Sequence, residues 1–445
     1  MGRARVTISS AILLSALALA PGARAQDSLR VMADLGMGYD LTNEIFYEQT
    51  FDSTAITGRH TVSDPQDRVQ GLSLLTLRGA RGGASFAATN DLRAGDVLLR
   101  DLTRLSGRQE LGGGFRLQLD GDHDARRDRS FDQLRQDRRF GFLTSERYAT
   151  PDLAWSVRVF QQWERQRSAR GAVRLFPDYD YRRVGLDLDR FSLGGGDASL
   201  SYAYGARDFP DTSARNYHEH ALGGRGRTHL RGIFEIDGWA DAVRRSALED
   251  SAAGDRFLEG EGQLRLTAHP GERWEWGALA GIQATRYDAP TTAYFNTRLF
   301  RYAAFARLEP TVERAFELGP ELELLRAPDF GGIPDGSPAG DLLLVAREEY
   351  DQGALRAVFE SLGRRTWASL EAGAGRRNFF EDVRGESDLS GHSDYWFVEL
   401  SGFYDRRLAG GLRLRANGDG RAEVHRVATD NLQSLFLSTE LRRSF

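Results

Sequence analysis

The sequence predicts an all-β fold, a closed antiparallel up-and-down transmembrane β-barrel of about 18–20 strands within a range of about 16–20. Three observations lead there. Apolar and polar residues alternate with period two along most of the chain. Short turns containing Gly or Pro alternate with longer polar loops. The last segment is an alternating strand that ends on a bare aromatic residue, Phe445, where chain ends are ordinarily polar and frayed. The expected organisation is a signal peptide over residues 1–25, cleaved, followed by a single barrel domain over residues 26–445.

Bulk composition alone would suit a soluble protein of two or three domains: 445 residues, 28% charged, with a mean hydropathy of -0.47. A barrel reaches the same average, because only every second residue of a spanning strand must be apolar. There is no cysteine, which excludes disulfides and thiolate metal sites. Every basic side chain is arginine. Glycine, at 49 residues against 12 prolines, favours sheets with tight turns over a proline-rich disordered chain.

Residues 1–25 differ from the rest. Arg3 and Arg5 precede an apolar run over residues 11–20, and Ala23 and Ala25 form a small-x-small cleavage site with Ala25 the last residue removed. The run is shorter than the ~20 residues of a spanning helix. The segment carries three arginines and no acid, so its loss takes the formal charge from -5 to -8. The first strand then begins near Leu29, leaving no room for an N-terminal plug. Leu29, Val31, Ala33, Leu35, Met37, Tyr39 and Leu41 share one face, opposed by Arg30, Asp34 and Asp40.

Residues 42–67 read as a long loop that could meet partners through Phe46, Tyr47 and Phe51. Further strands are read over 111–121, carrying Arg116 and Asp120, and over 153–163. Residues 228–242 set Leu230, Phe234 and Ile236 against Arg231, Glu235 and Asp237. Residues 274–284 and 300–308 follow, the latter bringing Arg301 and Arg307. Near the end, Trp396, Val398 and Leu400 oppose Glu399 and Asp405, and Leu412 and Leu414 oppose Arg413 and Arg415. Short turns are read over 79–83, 268–272 and 408–411, and long loops over 122–137, 326–340 and 379–393. Tyr39, Trp155, Trp274, Trp276, Tyr302 and Trp396 suit an interfacial girdle.

A propeller should repeat at ~40–50 residues, and no such repeat is visible; sandwich strands average ~5–6 residues, shorter than these. The C-terminal strand, with Leu435, Leu437, Leu441 and Phe445 at alternate positions broken by Thr439 and Arg443, resembles those of Gram-negative outer-membrane β-barrel proteins. That resemblance names a class rather than a family. It implies an outer-membrane location with both termini periplasmic, contact with outer-membrane lipid, and recognition of the terminal residues by the barrel-assembly machinery.

Function is expected on the inward face, where arginines and carboxylates would screen solutes across a wet lumen. The expected activity is porin-like passage of small hydrophilic solutes, with polymer export or a structural, adhesive barrel as alternatives. An enzyme is not expected: residues 392–394 (His-Ser-Asp) are adjacent, and adjacent side chains on a strand point apart. His218 and His220 share a face but lack a third ligand, and Arg126 and Arg127 sit among Asp122, Asp124 and Asp128. No metal, cofactor or nucleic acid is expected. Arginine placed at Leu230 or Leu414 should cost about 2–4 kcal/mol near the midplane, whereas Arg231 and Arg413 should tolerate neutral replacement.

Overall fold

A computed structural model describes residues 28–52, 55–95, 98–128, 133–150, 153–168, 179–193, 196–210, 213–230, 233–248, 256–288, 296–327, 349–380 and 393–445. The cleavage residues Ala23 and Ala25, Arg231, and most of the expected loops 326–340 and 379–393 lie outside them. The described residues form one 20-stranded sheet. Its first strands are β1 (Ser28–Asp52), β2 (Ala55–Arg81), β3 (Ala84–Gly95), β4 (Leu98–Gly112) and β5 (Phe115–Asp128). There follow β6 (Gln133–Thr150), β7 (Leu153–Ser168), β8 (Tyr179–Leu193), β9 (Gly196–Asp208) and β10 (Tyr217–Leu230). The second half opens with β11 (Phe234–Ala247), β12 (Phe257–Gly271), β13 (Trp274–Tyr287), β14 (Thr297–Thr311) and β15 (Arg314–Arg326). It ends with β16 (Tyr350–Leu362), β17 (Thr366–Phe379), β18 (Tyr395–Arg407), β19 (Leu412–His425) and β20 (Leu432–Ser444).

Each strand pairs antiparallel with the next, and the pairing returns from β20 to β1, from Asp34↔Ser444 to Ile45↔Gln433. The Phe445 N–H donates to the Ala33 carbonyl at 2.9 Å, so the chain end is held. Among the described residues no helix is long and apolar enough to cross a membrane, which says nothing of strands.

Two local devices set where strands turn. At the short-turn end the backbone enters the left-handed region at glycines; between β4 and β5 three in succession, Gly112, Gly113 and Gly114, have φ of 83°, 59° and 77°. At the long-loop end, a polar residue just before the incoming strand accepts a backbone N–H from the outgoing one. Asn216 accepts from Phe209 (2.7 Å), Asn296 from Tyr287 (2.6 Å), Asp394 from Phe379 (2.8 Å) and Asn431 from His425 (2.8 Å). These side chains satisfy donors that the ladder leaves open as the strands part.

Three sequence expectations need correction. Residues 42–67 are largely strand: β1 and β2 stay paired from Thr42↔Gln66 to Asp52↔Ala55, running on past Ile45, where the pairing of β1 with β20 ends. Residues 122–128 belong to β5, which leaves a much shorter connection to β6. The segments 111–121 and 228–242 are not single strands but hairpins. They read as continuous because Leu230 lies opposite Phe234 and His229 opposite Glu235, so the turn preserves the parity of the alternation.

Candidate functional site: a charged sheet face with a cationic cleft

The sheet has two unlike faces. One carries Leu35, Met37, Leu186, Leu200, Leu264, Trp276, Leu322, Leu355, Val398 and Leu400, all exposed. Strand registers place Arg30, Asp34, Asp40, Arg116, Asp120, Glu235, Asp237, Arg301, Arg307, Glu399, Asp405, Arg413 and Arg415 on the opposite, polar face. A paired strand is the reason for the sorting: once one residue of a register is fixed, every second side chain follows it.

On the polar face, most of these charges meet a partner on the same or a neighbouring strand. Arg307 reaches Glu360 at 2.7 Å and Glu309 at 3.0 Å. Arg301 meets Glu323 at 2.9 Å, Arg116 meets Glu110 at 3.0 Å, and Glu235 meets Arg227 at 2.7 Å. Arg356 bridges Glu321, at 2.9 Å, and Glu371. Asp405 is 6% exposed and held by Arg413 at 2.6 Å and Arg415 at 3.2 Å. Asp40 accepts from the Gln70 amide at 2.6 Å. Asp124, weighed as a cation ligand, is instead taken by Arg100 at 2.8 Å and Arg126 at 3.0 Å. No group of three or more potential metal ligands occurs among the described residues.

The pairing is uneven where the last strands meet the first. A cavity of about 360 Å³ on the polar face spans β1–β4, β19 and β20. Arg78, Arg93, Arg104, Arg413, Arg415 and Arg442 line it, against Asp34, Asp91 and Glu440. Glu440 is shared by Arg442 at 2.9 Å and Arg93 at 3.5 Å. Neither Arg78 nor Arg104 has an ion-pair partner among the described residues. The Arg93 Nε and the Asp91 Oδ1 stand 3.7 Å apart, buried and beyond hydrogen-bonding range. Asp405 already takes Arg413 and Arg415, so the positive excess that attracts anions comes chiefly from Arg78 and Arg104.

A second feature escaped the sequence reading. At the long-loop end of the polar face, guanidinium groups stack on aromatic rings. Arg207 lies 4.4 Å from the Tyr179 ring and 5.3 Å from that of Tyr217, and Arg245 lies 4.0 Å from Tyr217 and 4.7 Å from Phe257. On the other side Arg377 sits 3.8 Å above Tyr350, and Arg421 lies 5.2 Å from Phe397. Tyr217 and Tyr395 are buried, at 2% and 5% exposure. The Tyr350 hydroxyl donates to Glu323 at 2.5 Å, and that of Tyr181 donates to Glu219. The signal was available: β8, β10, β12, β16 and β18 all open on Tyr or Phe. Stacked pairs of this kind contribute about 0.5–2 kcal/mol each and stiffen the end of the sheet that carries the longer connections.

Of the stretch 392–394, which was not expected to form a relay, residue 392 lies outside the described residues, and Ser393 meets a histidine distant in sequence. Its Oγ is 3.0 Å from His425 Nδ1 and donates to Asp430 at 3.0 Å, while His425 Nε2 is 3.0 Å from Glu423. Ser393 is fully buried, at 0% exposure. A hydroxyl sealed from any substrate is a tie between β19 and its flanking turns rather than a nucleophile.

His218 and His220 lie on the apolar face of β10, where Tyr204 and Tyr202 hydroxyls meet their Nδ1 atoms at 2.9 and 2.8 Å. Leu435, Leu437, Leu441 and Phe445 are also on that face, exposed, with Arg443 lying 5.1 Å from the Phe445 ring. A polar cluster also interrupts this face, where the Asn90 amide donates to Asp101 at 2.6 Å and to Thr103 at 2.9 Å. Outside the strands, hydrogen bonding from Arg244 holds the Asp288 carboxyl below the usual carboxylate range.

The fold is that of Gram-negative outer-membrane β-barrel proteins. No family model matches the chain, and no curated protein matches it. Among solved structures it is similar to the copper transporter OprC, with TM-score 0.56 and 10% identity over 94% of this chain and 80% of that one. It is similar also to the siderophore receptor PirA from Pseudomonas aeruginosa, with TM-score 0.52 and 10% identity over 95% and 81%. The FrpB iron transporter from Neisseria meningitidis gives TM-score 0.51 and 9% identity over 92% and 82%. At these identities the likeness is one of fold.

Proposed function

We propose that the sheet is a closed barrel spanning the outer membrane, with the apolar face toward lipid, the polar face lining a lumen, and both termini periplasmic. The account assigns it porin-like passage of small hydrophilic solutes, with a preference for anions. Backbone groups in hydrocarbon must all be paired, and the β20–β1 register supplies the pairing that an open edge would lack. A barrel of about 20 strands has a lumen wider than side chains alone can fill. The similar transporters support passage across the outer membrane in general, not a particular solute.

The observation that carries the anion preference is the cleft, where Arg78 and Arg104 stand without an ion-pair partner among the described residues. Planar-bilayer recording of the refolded mature protein under a KCl gradient tests it. Steady conductance with a reversal potential on the chloride side is expected, and Arg78→Gln with Arg104→Gln should move that potential toward zero. Cation selectivity in the unsubstituted protein would refute the assigned preference, and a silent folded barrel would refute passage.

A further inference from the structure

We propose that the apolar face of β4–β8 is a contact surface for further copies of this chain, closing a ring of three in which Asp101 of one copy meets Arg182 of the next. The proposal rests on the membrane-spanning reading above but not on conduction. Depth singles out this sector. The registers are staggered: followed from strand to strand, Ser28 at the short-turn end of β1 leads to Thr297 at the long-loop end of β14. Level points on neighbouring strands therefore lie about one residue from register partners, toward the short turns, as a strand tilt of about 40° requires.

On the apolar face His123 of β5 lies opposite Thr103, and Gln161 of β7 lies opposite Arg182 of β8. With the stagger, Asp101, His123, Gln161 and Arg182 fall at one depth. Continued round the sheet, that depth carries Ile282, Leu322, Leu355, Leu400 and Leu437, all exposed. On β8 the apolar run below Arg182 is Val184, Leu186 and Leu188. It covers about 13 Å along the strand, about half of the ~25 Å band that lipid chains require. Arg182 itself is exposed and has no ion-pair partner among the described residues. Arginine facing hydrocarbon at the depth of Leu400 is among the costliest placements in a barrel wall. Protein, rather than lipid chains, is the cover that suits this sector.

The same row supplies the opposite charge. Asp101 is oriented by the Asn90 amide at 2.6 Å, beside Thr103, which is 4% exposed. A carboxylate accepts several donors, so this bond leaves a place for a guanidinium from outside. Asp101 and Arg182 stand four strands apart in a sheet of twenty, about 72° round a closed barrel. A contact that joins two different patches is heterologous and ends only by closing a ring. Cylinders in a ring of three touch their neighbours along lines about 60° apart, and in a ring of four about 90° apart, so the spacing is nearest to three. In a two-fold pair both residues would have to share a single line of contact.

The test uses the full mature protein in mild detergent, with mass read by light scattering and folding by far-UV circular dichroism. The unsubstituted protein should have the mass of three chains. Asp101→Arg and Arg182→Glu should each weaken association about tenfold or more, and the two together should restore it, while Arg286→Gln in another sector should leave it unchanged. A second measurement does not depend on those variants folding. In this cysteine-free chain, Asp101→Cys and Arg182→Cys proteins refolded together in liposomes should cross-link under mild oxidation, and neither should do so alone. A monomeric mass, a charge-exchanged double variant that stays dissociated, or cross-linking by either cysteine variant alone would overturn the proposal. Failure of the membrane-spanning reading would show separately, as labelling of Leu355→Cys by a water-soluble maleimide.

Discussion

Around Asp405 the balance between a tolerant surface and a committed ion pair is set by burial. Its carboxylate is 6% exposed and takes guanidinium groups from Arg413 and Arg415. Arg413 looked replaceable in the sequence, as one of several charges on a wet face, but loss of this partner leaves a buried carboxylate with a single donor. Arg413→Gln should therefore cost about 1–3 kcal/mol in urea unfolding, whereas Arg30→Gln, on the same face with no ion-pair partner among the described residues, should cost little. Depth along the strand corrects the companion expectation. Leu230 closes β10 and Leu414 is the third residue of β19, both beside short turns. Arginine there should cost only ~0–1 kcal/mol, and the ~2–4 kcal/mol effect belongs at mid-strand, at Leu400→Arg. Equal cost at Leu400 and Leu414 would remove the assigned depth.

Among the elements, the strands were legible and their ends were not. Period-two alternation revealed the faces of β1, β13, β18 and β19 because a half-buried strand must alternate. It could not reveal hairpins such as β10–β11, whose three-residue turn keeps the parity of the apolar set. Nor could it show that β1 and β2 remain paired beyond the end of β20, since large apolar residues there fall at both parities, Ile45, Tyr47 and Phe51 at one and Phe46 at the other. The charged positions were visible one by one, whereas the cleft depends on bringing residues near 34, 78, 104 and 440 together, which the run of registers from β20 through β1, β2 and β3 to β4 does. The β20–β1 pairing has its own test in a cysteine-free chain. Met37→Cys with Leu441→Cys should cross-link under mild oxidation, because the two residues are register partners. Met37→Cys with Leu435→Cys, six residues or about 20 Å off register, should not. The reverse pattern would require a different seam.

At the scale of the whole molecule, the same alternation that gives a modest mean hydropathy produces two surfaces with different solvents. Lipid would face the exposed leucines, and water the ion-paired arginines, with arginine–aromatic stacks stiffening the long-loop end. The central claim is this assignment of faces. It is tested most directly by single-cysteine scanning of β19 in liposomes, using a water-soluble maleimide that does not enter hydrocarbon. The account predicts labelling at Arg415→Cys, Asn417→Cys, Asp419→Cys and Arg421→Cys, and protection at Ala416→Cys, Gly418→Cys, Gly420→Cys and Ala422→Cys. Uniform labelling along the strand, or the opposite alternation, would contradict it.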